Sequence, residues 1–332
     1  MPSRHLSGLL AAFAYLAVWL PARPAAAHHP SSAPSVPVES DAGSEPAVAV
    51  NSPTGSTLGQ GNGFVGVFWE HARFNAMPAR DAHTLHHQNR DVHGKNHEET
   101  YAVHAGYGVT ADADLYVMVP YASNTAIQID DHAHLGRGER AAGLGDVRLV
   151  GKYRVWKQAV DVSLIAGLKL PTGETSERDQ SGAKVEIEQQ PGSGSWDGEL
   201  GIAASKGLGS RASVSTSVQY TLRTEGGQDR KLGDVFRCNV AGSYAVRPRE
   251  VLPNLHVVLE LNHEWALKDR ARGAEKVFDS GGTTILATPG VVAQFTDDVS
   301  AFLAVPVPVY QNFGGDHEEL KYTLLTGVSW SF

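Results

Sequence analysis

The run from Tyr322 to Phe332 alternates with a period of two. Tyr322, Leu324, Thr326, Val328, Trp330 and Phe332 share one face, and Thr323, Leu325, Gly327, Ser329 and Ser331 share the other. That pattern is a β-strand with one largely apolar surface and one mostly small or polar surface. An open apolar strand is a template for pairing with other chains, so soluble domains rarely leave one at an edge. Pairing with a first strand to close a barrel removes the edge. An aromatic last residue after alternating apolar positions is the usual finish of a bacterial outer-membrane barrel, and it is the strand through which the barrel-assembly machinery is expected to act.

The other end of the chain agrees. Arg4 and His5 precede an apolar stretch from Leu9 to Leu20, and Ala25-Ala26-Ala27 forms a small-residue site. This reads as a cleaved secretory signal, residues 1–27, with a mature chain starting near His28. The apolar stretch falls short of the roughly 20 residues a retained spanning helix needs. No Cys stands at the cleavage site, which excludes a lipoprotein start. Residues 28–61 are rich in Pro, Ser, Ala and Gly and show no periodic apolar face. Such a stretch buries too little surface to offset its ordering entropy, so it is expected to be a flexible periplasmic leader, either without a role or reaching into a pore.

A mean hydropathy of -0.22 would ordinarily indicate a soluble protein. Barrels hide their hydrophobicity in alternation, so the average is a poor test of them. The single Cys238 excludes an internal disulfide framework. A net charge of -8 and the lack of a basic tract argue against nucleic acid as a partner.

From Asn62 onward the chain resolves into about twelve strand-like segments, near 62–71, 98–109, 113–122, 146–157, 160–171, 196–207, 211–224, 233–247, 254–266, 282–296, 299–312 and 320–332. Short connections at 110–112, 158–159, 208–210 and 297–298 alternate with mostly longer ones at 72–97, 123–145, 172–195, 225–232, 267–281 and 313–319. Short turns on one side and long loops on the other are the outer-membrane arrangement, with periplasmic turns and extracellular loops. The fold class is therefore all-β: an antiparallel transmembrane barrel over residues 62–332, surrounded by outer-membrane lipid and lipopolysaccharide. A soluble two-sheet sandwich also alternates, but it does not explain the rhythm of the loops.

A resemblance adds to this reading. Gly143-Leu144-Gly145-Asp146-Val147, Lys152-Tyr153-Arg154, Ala166-Gly167-Leu168-Lys169-Leu170-Pro171-Thr172-Gly173 and Gly192-Ser193-Gly194-Ser195-Trp196-Asp197 resemble the outer-membrane proteins of the meta-pathway phenol-degradation family. The resemblance is strong over about 140–210 and implies a transporter-like barrel associated with aromatic-compound degradation. It brings no assigned site residue with it. Physically, Pro171-Thr172-Gly173 marks where a strand leaves the membrane, since Pro lacks a ladder donor and Gly permits the turn.

The lumen candidates are Glu70, His104, Arg148, Lys152, Arg154, Lys169, Arg211, Arg237, Glu260 and Glu264. The cations, opposite Glu70, Glu260 and Glu264, would either form opposed rows that filter solutes or pair and fill a narrow interior. The histidines form a second pattern, because nine of 15 lie between His71 and His134. His83, His86, His87, His93, His97, His132 and His134 would supply imidazole ligands for Zn, Cu or Ni on extracellular loops, although no fixed zinc-site spacing is present. His263 near Trp265 is the one conceivable base of an outer-leaflet lipid hydrolase. No nucleophile elbow accompanies it, so the chain reads as a non-enzyme. The favoured function is passive passage of a small solute, with aromatic or hydrophobic organic compounds implied by the resemblance. The alternative is a metal-binding or metal-responsive barrel.

Overall fold

The computed structural model describes residues 47–75, 93–128, 138–178, 182, 184–247, 251–271, 275–277, 280–314 and 319–332. Twelve passes form one closed antiparallel barrel, with no α-helix among the described residues. They are β1 (Gly63–Phe74), β2 (His93–Gly108), β3 (Ala113–Gln128), β4 (Gly138–Leu144 continued by Arg148–Lys157), β5 (Asp161–Lys169), β6 (Asp197–Leu208), β7 (Ala212–Leu222), β8 (Val235–Ala245), β9 (Asn254–Ala266), β10 (Gly282–Gln294), β11 (Val299–Ala304 continued by Val307–Phe313) and β12 (Leu320–Ser331). Each pairs with its sequence neighbours, and β12 returns to β1 with Val328 opposite Val67 and Trp330 opposite Val65.

Alternation decides the faces. On β1, Val65 and Val67 are exposed outward while Phe64, Phe68, Ala72 and Phe74 are buried inward. On β12, Val328 and Trp330 face out and Thr323, Leu325 and Ser329 face in. A one-residue slip would reverse every one of these assignments, so the apolar belt pins the register.

All twelve expected segments have their strand. The largest difference is at the β2–β3–β4 end. Expected at 98–109, 113–122 and 146–157, these strands extend to His93, Gln128 and Gly138, and the added arm Gly138–Leu144 pairs with β3 from Ile127 to Tyr121. Those extensions mix polar residues with Ala126, Ile127, Ala141 and Ala142 and show no sustained apolar alternation, so the pattern does not reveal them.

Two passes are interrupted. β4 breaks at 145–147 and β11 at 305–306. Beyond its break, β11 keeps its ladder with β10 but not with β12. There the side chain of Gln311 substitutes: its Nε2 donates to the Leu320 carbonyl at 3.0 Å, and its Oε1 accepts from the Leu320 amide at 3.0 Å.

Of the flexible leader expected across 28–61, the last part does reach into the pore but is ordered there, which corrects its flexibility; the earlier part, like residues 1–27, lies outside the described residues. Residues 47–58 enter the barrel, with Ala49, Val50, Ser52 and Thr57 almost fully buried. A segment of this composition stays disordered when it must bury its own surface. Here the barrel wall supplies the partners. Positive φ angles at Gly59 and Gly61 turn the chain from this plug into β1. A Cβ on Gly108 would run into the Gly59 carbonyl, so the crossing requires glycine there.

Candidate functional site

The inner face of β1 sets the character of the lumen. Phe64, Phe68, Ala72 and Phe74 recur along it, about 33 Å from first to last at some 3.3 Å per residue. Around them lie three apolar clusters at successive heights. Phe74 and Ala72 pack with Leu286 and Leu320 toward the long-loop end. Phe68 packs with Leu325, Phe302, Val292 and Val258 at mid-height. Phe64 packs with Leu58 and Tyr116 near the short turns. Barrel interiors are ordinarily polar, so a stripe of this kind has to be accounted for.

The plug covers the middle of the stripe. Val48 and Val50 join the mid-height cluster, which contributes roughly 1.5–3 kcal/mol per valine. Ordering the backbone costs about 1–2 kcal/mol per residue, so two valines cannot hold twelve residues and hydrogen bonds must do the rest. Glu260, fully buried, accepts from the Val50 amide at 2.5 Å, the Asn51 amide at 2.9 Å and the Ser52 hydroxyl at 2.5 Å. Asn262 donates to Ser52 Oγ at 3.0 Å and accepts from Thr288 at 2.8 Å. Lower down, the Gly55 amide donates to Ser205 Oγ and the Leu58 amide to Asp114.

Across the lumen, β3 to β9 carry charge in pairs. Lys152 Nζ lies 3.6 Å from Asp114 and Arg154 2.7 Å from Asp112. Arg148 meets Glu199 at 2.9 Å, and Arg237 meets Glu264 at 2.8 Å. Of the two expected arrangements, these cations take the paired one, with partners on the adjacent strand, the adjacent turn or, for Arg148 and Glu199, the next strand but one. Glu260 is committed to the plug, and Glu70 is a half-buried inward residue of β1. Arg211 does not join them: it is exposed in the 209–211 turn, where its parity points inward but the strand has ended. His104 is inward and buried, its ring 5.5 Å from both Phe64 and Phe68. Asp114, Asp197, Glu199 and the plug residues were not among the sequence candidates. Strand parity alone would have found the three carboxylates.

Residues 94–318 match the family model described as "Putative MetA-pathway of phenol degradation". The chain belongs to this family. Among solved structures it is similar to the COG4313 outer-membrane channel from Pseudomonas putida F1, at 16% identity and a TM-score of 0.63, covering 86% of this chain and 100% of that one. The β domain of the Bordetella autotransporter BrkA is more distant, at 10% identity and a TM-score of 0.48, covering 82% and 100%. The first of these matches the barrel fold. No curated protein matches the chain in sequence.

Three of the four stretches that carried the resemblance to the phenol-degradation family, 143–147, 166–173 and 192–197, meet at one point, while Lys152 and Arg154 pair with Asp114 and Asp112 toward the short turns. Lys169 Nζ lies 3.0 Å from Asp146 and 2.8 Å from Asp197, and it also contacts Ser193 and, at 3.2 Å, Ser195. Asp146 accepts the Gly173 and Ser193 amides, both at 2.9 Å. Gly173 and Gly192 approach so closely that a Cβ on either would strike the other's backbone. This network ties the 170–196 loop to the barrel rim, so these family stretches are architectural.

Of the histidines proposed as ligands, His83, His86, His87, His132 and His134 lie outside the described residues. His93 begins β2, and His97 faces outward beside His71. Among the described residues no group of three or more His, Cys, Asp or Glu is arranged to hold a metal. His263 faces outward from β9, and its cross-strand neighbours are Cys238 and Ile285 rather than a serine.

Proposed function

We propose that the barrel is a passive outer-membrane channel for small apolar or aromatic organic solutes, exported by a cleaved signal and closed at rest by residues 47–58. The observation that supports this is the apolar stripe on β1, β2 and β9–β12. A pore for sugars or ions has no use for Phe64, Phe68, Phe74, Phe302 and Leu325 on its inner wall, whereas a solute that water solvates poorly gains about 25 cal/mol per Å² of apolar contact along it. The similar outer-membrane channel from Pseudomonas putida F1 supports the channel reading, and the family's link to phenol degradation supports an aromatic solute.

The test is entry of an apolar fluorescent aromatic such as N-phenylnaphthylamine into cells whose lipopolysaccharide barrier is intact, with and without the protein. Entry is expected to rise with the protein and to fall several-fold in Phe74→Asn/Leu320→Asn, whose cluster holds no plug residue, while Leu286→Met keeps the rate. Heat-modifiable gel mobility confirms that each variant is folded. Swelling of proteoliposomes in neutral sugars is expected to stay low. Fast sugar passage with unchanged entry of the aromatic would sink the reading.

A further inference from the structure

On the outside of the barrel, above the aromatic belt, the strands carry a patch that does not suit lipid tails. The ladder places Tyr322, Arg73, His97, position 125 and Arg140 directly opposite one another across β12, β1, β2, β3 and β4. Ala72 and Phe74 are buried inward, which puts Arg73 on the outer face. The row nearer the membrane holds His71 and Glu99, and the next holds Trp69, Tyr101 and Tyr121. Val67, Val103 and Val119 follow, all exposed to lipid.

The heights are informative. Aromatic side chains sit at the membrane interface, and Arg73 lies four residues beyond Trp69, about 13 Å further out along the strand. That is headgroup level. The nearby carboxylate is already engaged: Glu99 Oε1 lies 3.4 Å from His71 Nδ1, and Oε2 accepts the Tyr101 hydroxyl at 2.8 Å. Arg140 is exposed and uses only Nε, to Ser123 at 3.1 Å, among the described contacts. Two guanidiniums on one row, flanked by two imidazoles whose centroids are 5.7 Å apart, are left facing a layer whose lipids carry phosphate.

We propose that this face binds the phosphorylated glycolipid of the outer leaflet, with Arg73 and Arg140 holding the phosphates of one lipid A headgroup and the Trp69–Tyr101–Tyr121 row receiving its upper acyl chains. Guanidinium suits this ligand because its planar donors match phosphate oxygens in pairs. The site is separate from the lumen and does not depend on the solute.

Native mass spectrometry of the folded protein in detergent tests it with diphosphoryl lipid A, dephosphorylated lipid A and inorganic phosphate as probes. Diphosphoryl lipid A is expected to bind stoichiometrically. Arg73→Gln/Arg140→Gln should weaken it about thirty-fold, from roughly fivefold per surface cation, with Arg140→Gln alone intermediate. Arg211→Gln, at the opposite end, should leave it unchanged. Equal binding by the double variant, or by lipid A without phosphate, would overturn the proposal, and so would full competition by inorganic phosphate at equal concentration.

Discussion

Glu260 accepts hydrogen bonds from three consecutive plug residues, and among the described residues it has no ion-pair partner. Replacing it with alanine strips the Val50 and Asn51 amides of their acceptor inside a closed wall, at about 1–3 kcal/mol each. The expected outcome for Glu260→Ala is a folded barrel whose plug leaves the lumen more often. Single-channel recording should then show frequent long openings where the parent shows few, and hydrogen exchange at residues 50–52 should accelerate. Parent-like currents would mean that the valines and the bonds to Asn262, Ser205 and Asp114 hold the segment without Glu260. Glu260 was a lumen candidate from sequence because its neighbours Leu259 and Leu261 are apolar and therefore outward. Its partner was not legible. Nothing in Val48-Ala49-Val50-Asn51-Ser52 announces that it will lie against β9 some 210 residues away.

Strands were readable where a two-faced environment imposes alternation, and less so where it does not. Ala212 to Leu222 shows Ser213, Ser215 and Ser217 buried inward and Val214 and Tyr220 exposed, as the pattern requires. The second half of β11 is harder, because Pro306 and Pro308 lack ladder donors and the strand there pairs on one side only. Its other edge is held by the bridge from Gln311 to Leu320. Gln311→Leu keeps the volume but removes two hydrogen bonds, each worth about 0.5–1.5 kcal/mol. Faster amide exchange is expected at Leu320–Thr323, with β1–β2 protection unchanged. Exchange spread evenly around the barrel, or none, would show that the bridge is not what holds this edge.

At the scale of the molecule, closure and lumen content follow different rules. Closure was legible because every strand repeats the same contrast between lipid and interior, and Tyr322 to Phe332 completes the ring against β1. The content was not, since the plug obeys no periodicity and takes its order from the wall around it. On the proposed reading, displacement of residues 47–58 is the step on which passage depends. Ser52 Oγ and Asn262 Nδ2 lie 3.0 Å apart, so Ser52→Cys/Asn262→Cys, in a Cys238→Ser background that removes the native thiol, can tether the plug. Oxidised, this variant is expected to lose nearly all protein-dependent entry of the aromatic probe, and a membrane-impermeant phosphine should restore it. A deletion of residues 28–58 should instead give a larger, steady conductance. If mass spectrometry confirms the disulfide and the probe still enters at the parent rate, then solutes pass without moving the plug, and the apolar stripe beneath Val48 and Val50 is not their route.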